Sequence, residues 1–325
     1  MIYLQVLGGF VLLLGGAEIL VRGAVQIAAK LGLSPLLIGM TVVAFGTSAP
    51  EFLVTLRATL DGVSGLALGN IVGSNIANIF LILGVTALVA PIVVDVRAVI
   101  RDALMLMGSS TLFAWVSLTG TIGAVAGAVM FSMLMGYFFF SYRRERQQSD
   151  ASSHLHEREA DEMQDIVMSF PVALAWLLGG LIGVSYGADL LVVGGTEIAR
   201  SFGVSEEVIG LTLIALGTSL PELAASVMAA IRGHTDVAIG NVIGSNLFNL
   251  LAVAGGVAMI SPLTVPEQIQ NFDLWVMLGG TLIMLAYLTL RGRIGRGHGV
   301  LFFSIYSAYI FSQAYGVDRI LDIIG

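Results

Sequence analysis

Apolar residues run along this chain in stretches of about twenty, separated by short polar breaks, and a helix of that length spans a bilayer's hydrocarbon core. The pattern predicts ten spans, near residues 2–28, 35–60, 64–89, 98–118, 121–141, 169–192, 206–231, 236–260, 272–290 and 299–321. Runs such as Ile76–Val89 do not alternate, so they read as helices and not as barrel strands. One strongly polar stretch, "YRRERQQSDASSHLHEREADEMQD" (Tyr142–Asp165), divides the spans five and five. It is either a solvated linker or a short surface helix. The predicted fold is all-α: a polytopic membrane protein of ten transmembrane helices, with units at 1–141 and 169–325 joined by a charged linker at 142–168.

Composition narrows the class. Of 325 residues, 57% are hydrophobic and 11% charged, whereas a soluble domain carries about 25% charged residues. The net charge of −7 is scattered, which gives nucleic-acid binding no support. Cysteine is absent, excluding disulfides and thiolate metal sites. No basic residue precedes Arg22, so the N-terminus lacks the charged start of a cleaved signal and reads as the first span. Arg22 and Lys30 follow span 1, Arg97 and Arg101 span 3, Arg143, Arg144 and Arg146 span 5, and Arg291, Arg293 and Arg296 span 9. Basic residues favour short cytoplasmic loops, which predicts both termini outside and the central loop in the cytoplasm of a plasma membrane.

The polar segments repeat. "GTSAPE" at 46–51 returns as "GTSLPE" at 217–222, and "GNIVGSNIAN" at 69–78 as "GNVIGSNLFN" at 240–249, each 171 residues later. The match extends back to "GAEIL" at Gly16 and "GADLL" at Gly187. Five spans per unit is odd, so the units enter the membrane with opposite orientation, as in secondary transporters with a midplane site between repeats.

A glutamate within a span is costly, so Glu51 and Glu222 are expected to face a cavity or a partner. Pro50 removes a backbone donor, which predicts that carbonyls around Ala44 to Thr47 point away from their own helix. Thr47 and Ser48 lie within one turn of Glu51, and the second unit repeats the set as Ala215, Thr218, Ser219, Pro221 and Glu222. Ser74 and Asn78, like Ser245 and Asn249, are four residues apart and share a helix face. Asn70, Asn75, Asn241 and Asn246 read as buried ties between helices. The inventory holds only oxygen donors, without sulfur, imidazole or intramembrane lysine, which suits hard cations such as Ca²⁺ or Na⁺. Two glutamates balance one divalent ion. Hydrogen-bonded neutral acids are the alternative, but they leave the duplication of the whole oxygen set unexplained.

These motifs resemble the two signature repeats of the cation/calcium exchanger superfamily, especially its prokaryotic sodium/calcium exchangers. The resemblance implies an inverted-repeat fold with spans 2, 3, 7 and 8 as a tight core and long spans 1 and 6 sliding across it. It implies Glu51 and Glu222 as shared Ca²⁺ ligands. Thr47, Thr218, Ser48, Ser219, Ser74, Ser245, Asn78 and Asn249 would line the cation sites, and Ala44 and Ala215 would contribute carbonyls. Some relatives carry aspartate where Asn78 or Asn249 stands, so two acidic groups lean against potassium dependence. The implied activity is Na⁺/Ca²⁺ antiport, with H⁺/Ca²⁺ antiport as the alternative. No resident cofactor and no protein partner beyond the lipid bilayer is implied. An enzyme is not expected: there is no HExxH, and His234 and His298 lie at span ends. His154 and His156 read as solvated. Glu18 and Asp189 read as interfacial anchors, with Arg22 one turn from Glu18. The methionines at 105, 107, 130, 133 and 135 read as packing or lipid-facing residues, and "GAVAG" (Gly123–Gly127) as a helix-packing pattern.

Overall fold

The computed structural model describes residues 2–162, 168–202 and 215–315. Its helices are α1 (Ile2–Leu31), α2 (Pro35–Thr47), α3 (Ala49–Leu60), α4 (Ser64–Val89), α5 (Val96–Ser117) and α6 (Ala124–Glu162) in the first unit. The second unit has α7 (Phe170–Ser201), α8 (Ala215–Gly217), α9 (Leu220–Ile231), α10 (Thr235–Ile260), α11 (Ile269–Leu290) and α12 (Arg296–Tyr315). Helix occupies all ten predicted segments. The start of span 7, residues 206–214, and the end of span 10, residues 316–321, lie outside the described residues. The expected linker is helical over 142–162, because α6 runs without a break past Tyr142 to Glu162.

Local chemistry sets several boundaries. Ser34 accepts the Leu37 amide at 3.1 Å ahead of Pro35, which starts α2 with a side-chain cap and a proline whose missing N–H costs nothing there. Asp95 caps α5 through the Arg97 amide at 2.9 Å. Gly62 and Gly233 take positive φ values of 78° and 81° just after α3 and α9, where a left-handed residue ends a helix. Spans 2 and 7 both break at a serine before a proline. Ser48 (φ −83°, ψ 4°) separates α2 from α3 with a 44° bend, and Ser219 (φ −89°, ψ 0°) precedes α9.

The repeat is structural as well as sequential. Two short antiparallel ribbons join the units: β1 (Ile92–Val93) pairs with β4 (Arg293–Ile294), and β2 (Thr121–Ile122) with β3 (Leu263–Thr264). Each ribbon ties a loop of one unit to a loop of the other, so both loops of a pair lie on one side of the membrane. That requires an even number of crossings from 93 to 293 and from 122 to 263, as ten spans provide. A two-fold axis exchanging the units exchanges the ribbons, which places them at opposite ends.

Burial sorts the spans into centre and rim. In α4 and α10, 78% of the most apolar window is buried, against 33% in α1 and α7. The rim helices expose Leu4, Leu7, Phe10 and Leu178, Ile182 and Tyr186, a surface that only lipid solvates well. α1 and α7 pack along a glycine seam, Gly9, Gly16 and Gly23 against Gly180, Gly187 and Gly194, seven residues apart in each helix. A Cβ on Gly180 would lie 2.5 Å from the Leu20 amide, and one on Gly187 2.5 Å from the Leu13 amide. Small residues permit this backbone approach, and the close fit makes the pair one stiff unit. "GAVAG" packs internally, since a Cβ on Gly127 would meet the Gly255 carbonyl at 2.5 Å.

Candidate cation site

The broken helices and the central helices bring several of the predicted oxygens together across the two units. Glu51 and Glu222 each sit in the first turn of the helix after a break, and each is 1% exposed. Helix N-termini carry partial positive charge, so both breaks point that charge at a buried carboxylate. The units are interlocked here. Ser48 donates to Glu222 Oε1 at 3.0 Å, Thr47 to Asn241 Oδ1 at 3.3 Å, and Asn78 to Asn246 Oδ1 at 3.3 Å.

Two asparagines hold the site with matching geometry. Asn70 donates to the Glu51 carbonyl at 3.2 Å and the Thr55 hydroxyl at 2.9 Å. Asn241 donates to the Glu222 carbonyl at 3.2 Å and the Ser226 hydroxyl at 3.0 Å. They act as ties between helices, as their placement predicts, and so does Asn246. Asn75 instead donates within its own helix, to the Ile71 carbonyl at 2.7 Å.

Asn78 and Asn249 lie in wide π-type turns, 78–82 in α4 and Phe248–Val253 in α10. Such turns inside α-helices often mark functional positions, and the sequence gives no propensity signal for them. The Ala44 carbonyl departs from expectation. It accepts the Ser48 amide at 2.9 Å and the Thr47 hydroxyl at 3.4 Å, so it is a shared acceptor and not a freed one. The carbonyl relieved of a partner by Pro50 is that of Gly46, four residues back. Ala215 begins α8, the described remnant of the matching half-helix.

Among the described residues several buried oxygens have no hydrogen-bond partner: Glu51 Oε2, Glu222 Oε2, Thr218 Oγ1, Ser219 Oγ, Ser245 Oγ, Asn78 Oδ1 and Asn249 Oδ1. Buried oxygens left without partners are costly, and a cation is the ligand that satisfies acceptors of this kind together. The two carboxylates lie within electrostatic reach of each other, and like charges repel until a cation screens them. Among the described residues no group of three or more His, Cys, Asp or Glu forms a metal site. The donor set therefore offers two charges and many neutral oxygens, which suits ions that bind and leave.

The two ends of the cluster differ in access. Ser74, Thr218 and Asn70 line a cavity of about 820 Å³. Their counterparts Ser245, Thr47 and Asn241 are 0–1% exposed. A Cβ on Gly244 would lie 2.2 Å from the Met40 carbonyl and one on Gly240 2.5 Å from that of Leu36, whereas Gly69 and Gly73 have nothing within 4 Å among the described residues. Among the described residues, the Ser74–Thr218 end opens on this cavity, while α2 packs against α10 at the other.

Two inverted five-span units closing on a buried, oxygen-only, two-carboxylate site define a secondary cation transporter. The chain belongs to the sodium/calcium exchanger protein family, whose model matches residues 1–143 and 172–315. It is 40% identical over 297 residues to a candidate antiporter, CaxA, of Alkalimonas amylolytica, covering 90% of this chain and 91% of that one. It is 31% identical over 339 residues to the sodium/calcium exchanger MaX1 of Methanosarcina acetivorans, covering 95% and 97%. A solved structure of the sodium-calcium exchanger NCX_Mj, soaked without Na⁺ and Ca²⁺, superposes with a TM-score of 0.82 at 31% identity, over 96% of this chain and 100% of that one. Membership places this multi-pass membrane protein among the cation/Ca²⁺ antiporters.

Proposed function

We propose that the chain exchanges Na⁺ for Ca²⁺ across the plasma membrane by alternating access, with both termini outside and the central loop in the cytoplasm. The observation that carries this is the duplicated set of buried oxygens at the two helix breaks. Ca²⁺ between Glu51 and Glu222 neutralises both carboxylates, and the hydroxyls and amides around it replace its water at little reorganisation cost. Thr47, Ser48, Ser74 and Asn78, with Thr218, Ser219, Ser245 and Asn249, line the cation sites in this reading, and the Ala215 carbonyl completes the set. Na⁺ ions compete for the same oxygens, so one direction of loading excludes the other. The stiff α1–α7 pair covers the core helices and is the element suited to shift across them. No resident cofactor enters the cycle.

The test is reconstitution into liposomes with imposed Na⁺, K⁺ and H⁺ gradients. Sodium-driven Ca²⁺ uptake that disappears in Glu51→Gln and in Glu222→Gln is the expected result. Full uptake in both variants would refute the site. Flux driven by a pH gradient without sodium would assign the carboxylates to proton exchange instead.

A further inference from the structure

The cavity that reaches Ser74 and Thr218 does not stop at the cation site. It continues between α4 and the pair α11–α12, where Gln268, Asp273 and Gln313 line it. Gln268 lies just before α11, Asp273 in its first turns and Gln313 near the end of α12, so this part lies toward the β2–β3 end. Gly65, at the start of α4, shares this wall with Pro266, which a Cβ on Gly65 would meet at 3.6 Å.

Asp273 is 5% exposed, and its partners are neutral. It accepts from Tyr309 at 3.0 Å and Gln313 at 2.5 Å, with Gln268 at 3.5 Å. No cation pairs with it among the described residues. The first unit shows what this position becomes when it is neutralised. Asp102 accepts from Tyr137 in the same way, but Arg101 stands 2.9 Å from it and its guanidinium lies 5.9 Å above the Tyr137 ring. Arg101 is replaced in the second unit by Phe272, stacked on Tyr309 at 6.4 Å. The acid–tyrosine pair is thus duplicated while its cation is not, and the uncompensated copy is the one that faces the cavity.

A carboxylate in a low-dielectric cleft focuses potential and concentrates cations. The flanking Gln268 and Gln313 add amide oxygens of the hard type that alkali and alkaline-earth ions accept. We infer that Asp273, with Gln268 and Gln313, forms an entry station for the transported cation, a weak site through which ions pass between the β2–β3 face and Ser74 and Thr218. This rests on the antiport reading above, and Asp273 acts as a positioning residue for entry, outside the central ligand set.

The experiment measures initial Ca²⁺ flux against Ca²⁺ concentration on the β2–β3 side, at low and high ionic strength, for the wild type, Asp273→Asn, Asp273→Glu and Gln313→Lys. Asp273→Asn should raise the half-saturating concentration by roughly tenfold at low ionic strength and much less in high salt, with the saturated rate unchanged. Asp273→Glu should restore most of the loss, and Gln313→Lys should weaken entry at least as much as Asp273→Asn while testing the station without removing the buried acid. Asp102→Asn, the control at the neutralised copy, should leave the half-saturating concentration alone. Unchanged saturation in both Asp273→Asn and Gln313→Lys, with the wild type transporting normally, overturns the station. A wild type that moves no Ca²⁺ under any gradient overturns the antiport reading instead.

Discussion

Ser74 and Thr218 on one side of the site, and Ser245 and Thr47 on the other, are the same residues written twice, yet one pair lines a cavity and the other is sealed. Gly240 and Gly244 touch the α2 backbone, whereas Gly69 and Gly73 meet nothing within 4 Å among the described residues; residues 207 and 211, the repeat counterparts of Leu36 and Met40, lie outside them. The difference shows that a duplicated chain need not adopt a symmetric structure. Two equivalent ends of which only one opens at a time would form a bistable element, and the proposed alternating access requires one. The largest expected effect comes from attacking the sealed end. Gly244→Ala places a methyl against a backbone carbonyl that cannot step aside, at a cost of roughly 3 kcal/mol, the upper range for overpacking. Gly73→Ala should cost less, because the equivalent methyl meets nothing among the described residues. Thermal unfolding of the detergent-purified variants measures both, and equal losses would show that the two ends do not differ in packing.

The rim repeats the lesson with charge. Asp102 is wholly buried beside Arg101, while Asp273 has only neutral donors among the described residues. Arg101→Gln strands a buried acid and should cost about 2 kcal/mol, since removing one partner of a buried charge leaves the other uncompensated. Phe272→Arg, which writes the missing cation into the second unit, should stabilise or leave unfolding unchanged while impairing Ca²⁺ entry. A stability loss in both would mean that the two pairs are not equivalent environments.

Access itself is measurable, because the chain has no native cysteine. Ser74→Cys should react with a charged, membrane-impermeant thiol reagent from the β2–β3 side. Ser245→Cys should react only through the opposite conformer, slower by roughly tenfold or more if that conformer is a minor population. Similar rates at both positions would mean that the ends exchange freely and that the sealed geometry is no preference.

How much of this was readable beforehand follows from what repetition records. Glu51, Glu222 and their hydroxyl neighbours stood out because costly polar residues recur at a fixed lag within apolar spans. Asn70 and Asn241 were readable as ties for the same reason. The wide turns at Asn78 and Asn249 were not, since a π-turn is set by packing and not by propensity. The ribbons escaped because two-residue strands carry no periodicity. The glycine seam had a usable signal in the heptad spacing of Gly9, Gly16 and Gly23 and its copy at Gly180, Gly187 and Gly194. The asymmetry between the ends had none: a sequence that repeats itself says nothing about which copy is open.

One departure from the repeat sits where it would bias that choice. Glu18 receives Arg22 at 2.6 Å, the pairing its spacing predicts, and also Arg232 at 2.5 and 2.8 Å. Arg232 ends α9, beside Thr235, whose hydroxyl bonds the β1 carbonyl of Val93 at 2.6 Å. The tie therefore joins α1 to the core on the β1–β4 side, the sealed side. In the repeat, Glu18 corresponds to the exposed Asp189 and Arg232 to Asp61, two acids that cannot make the same tie at the open end. Arg232→Gln should cost only about 1 kcal/mol, because the pair is part-exposed. That is still enough to move a two-state balance severalfold. In the Ser245→Cys background it should speed labelling, as the end it holds shut opens more often. Asp61→Arg, which supplies the missing cation opposite Asp189, should instead slow labelling of Ser74→Cys. If neither rate changes, the Glu18–Arg232 contact is an anchor and the preference for one open end comes from the glycine packing alone.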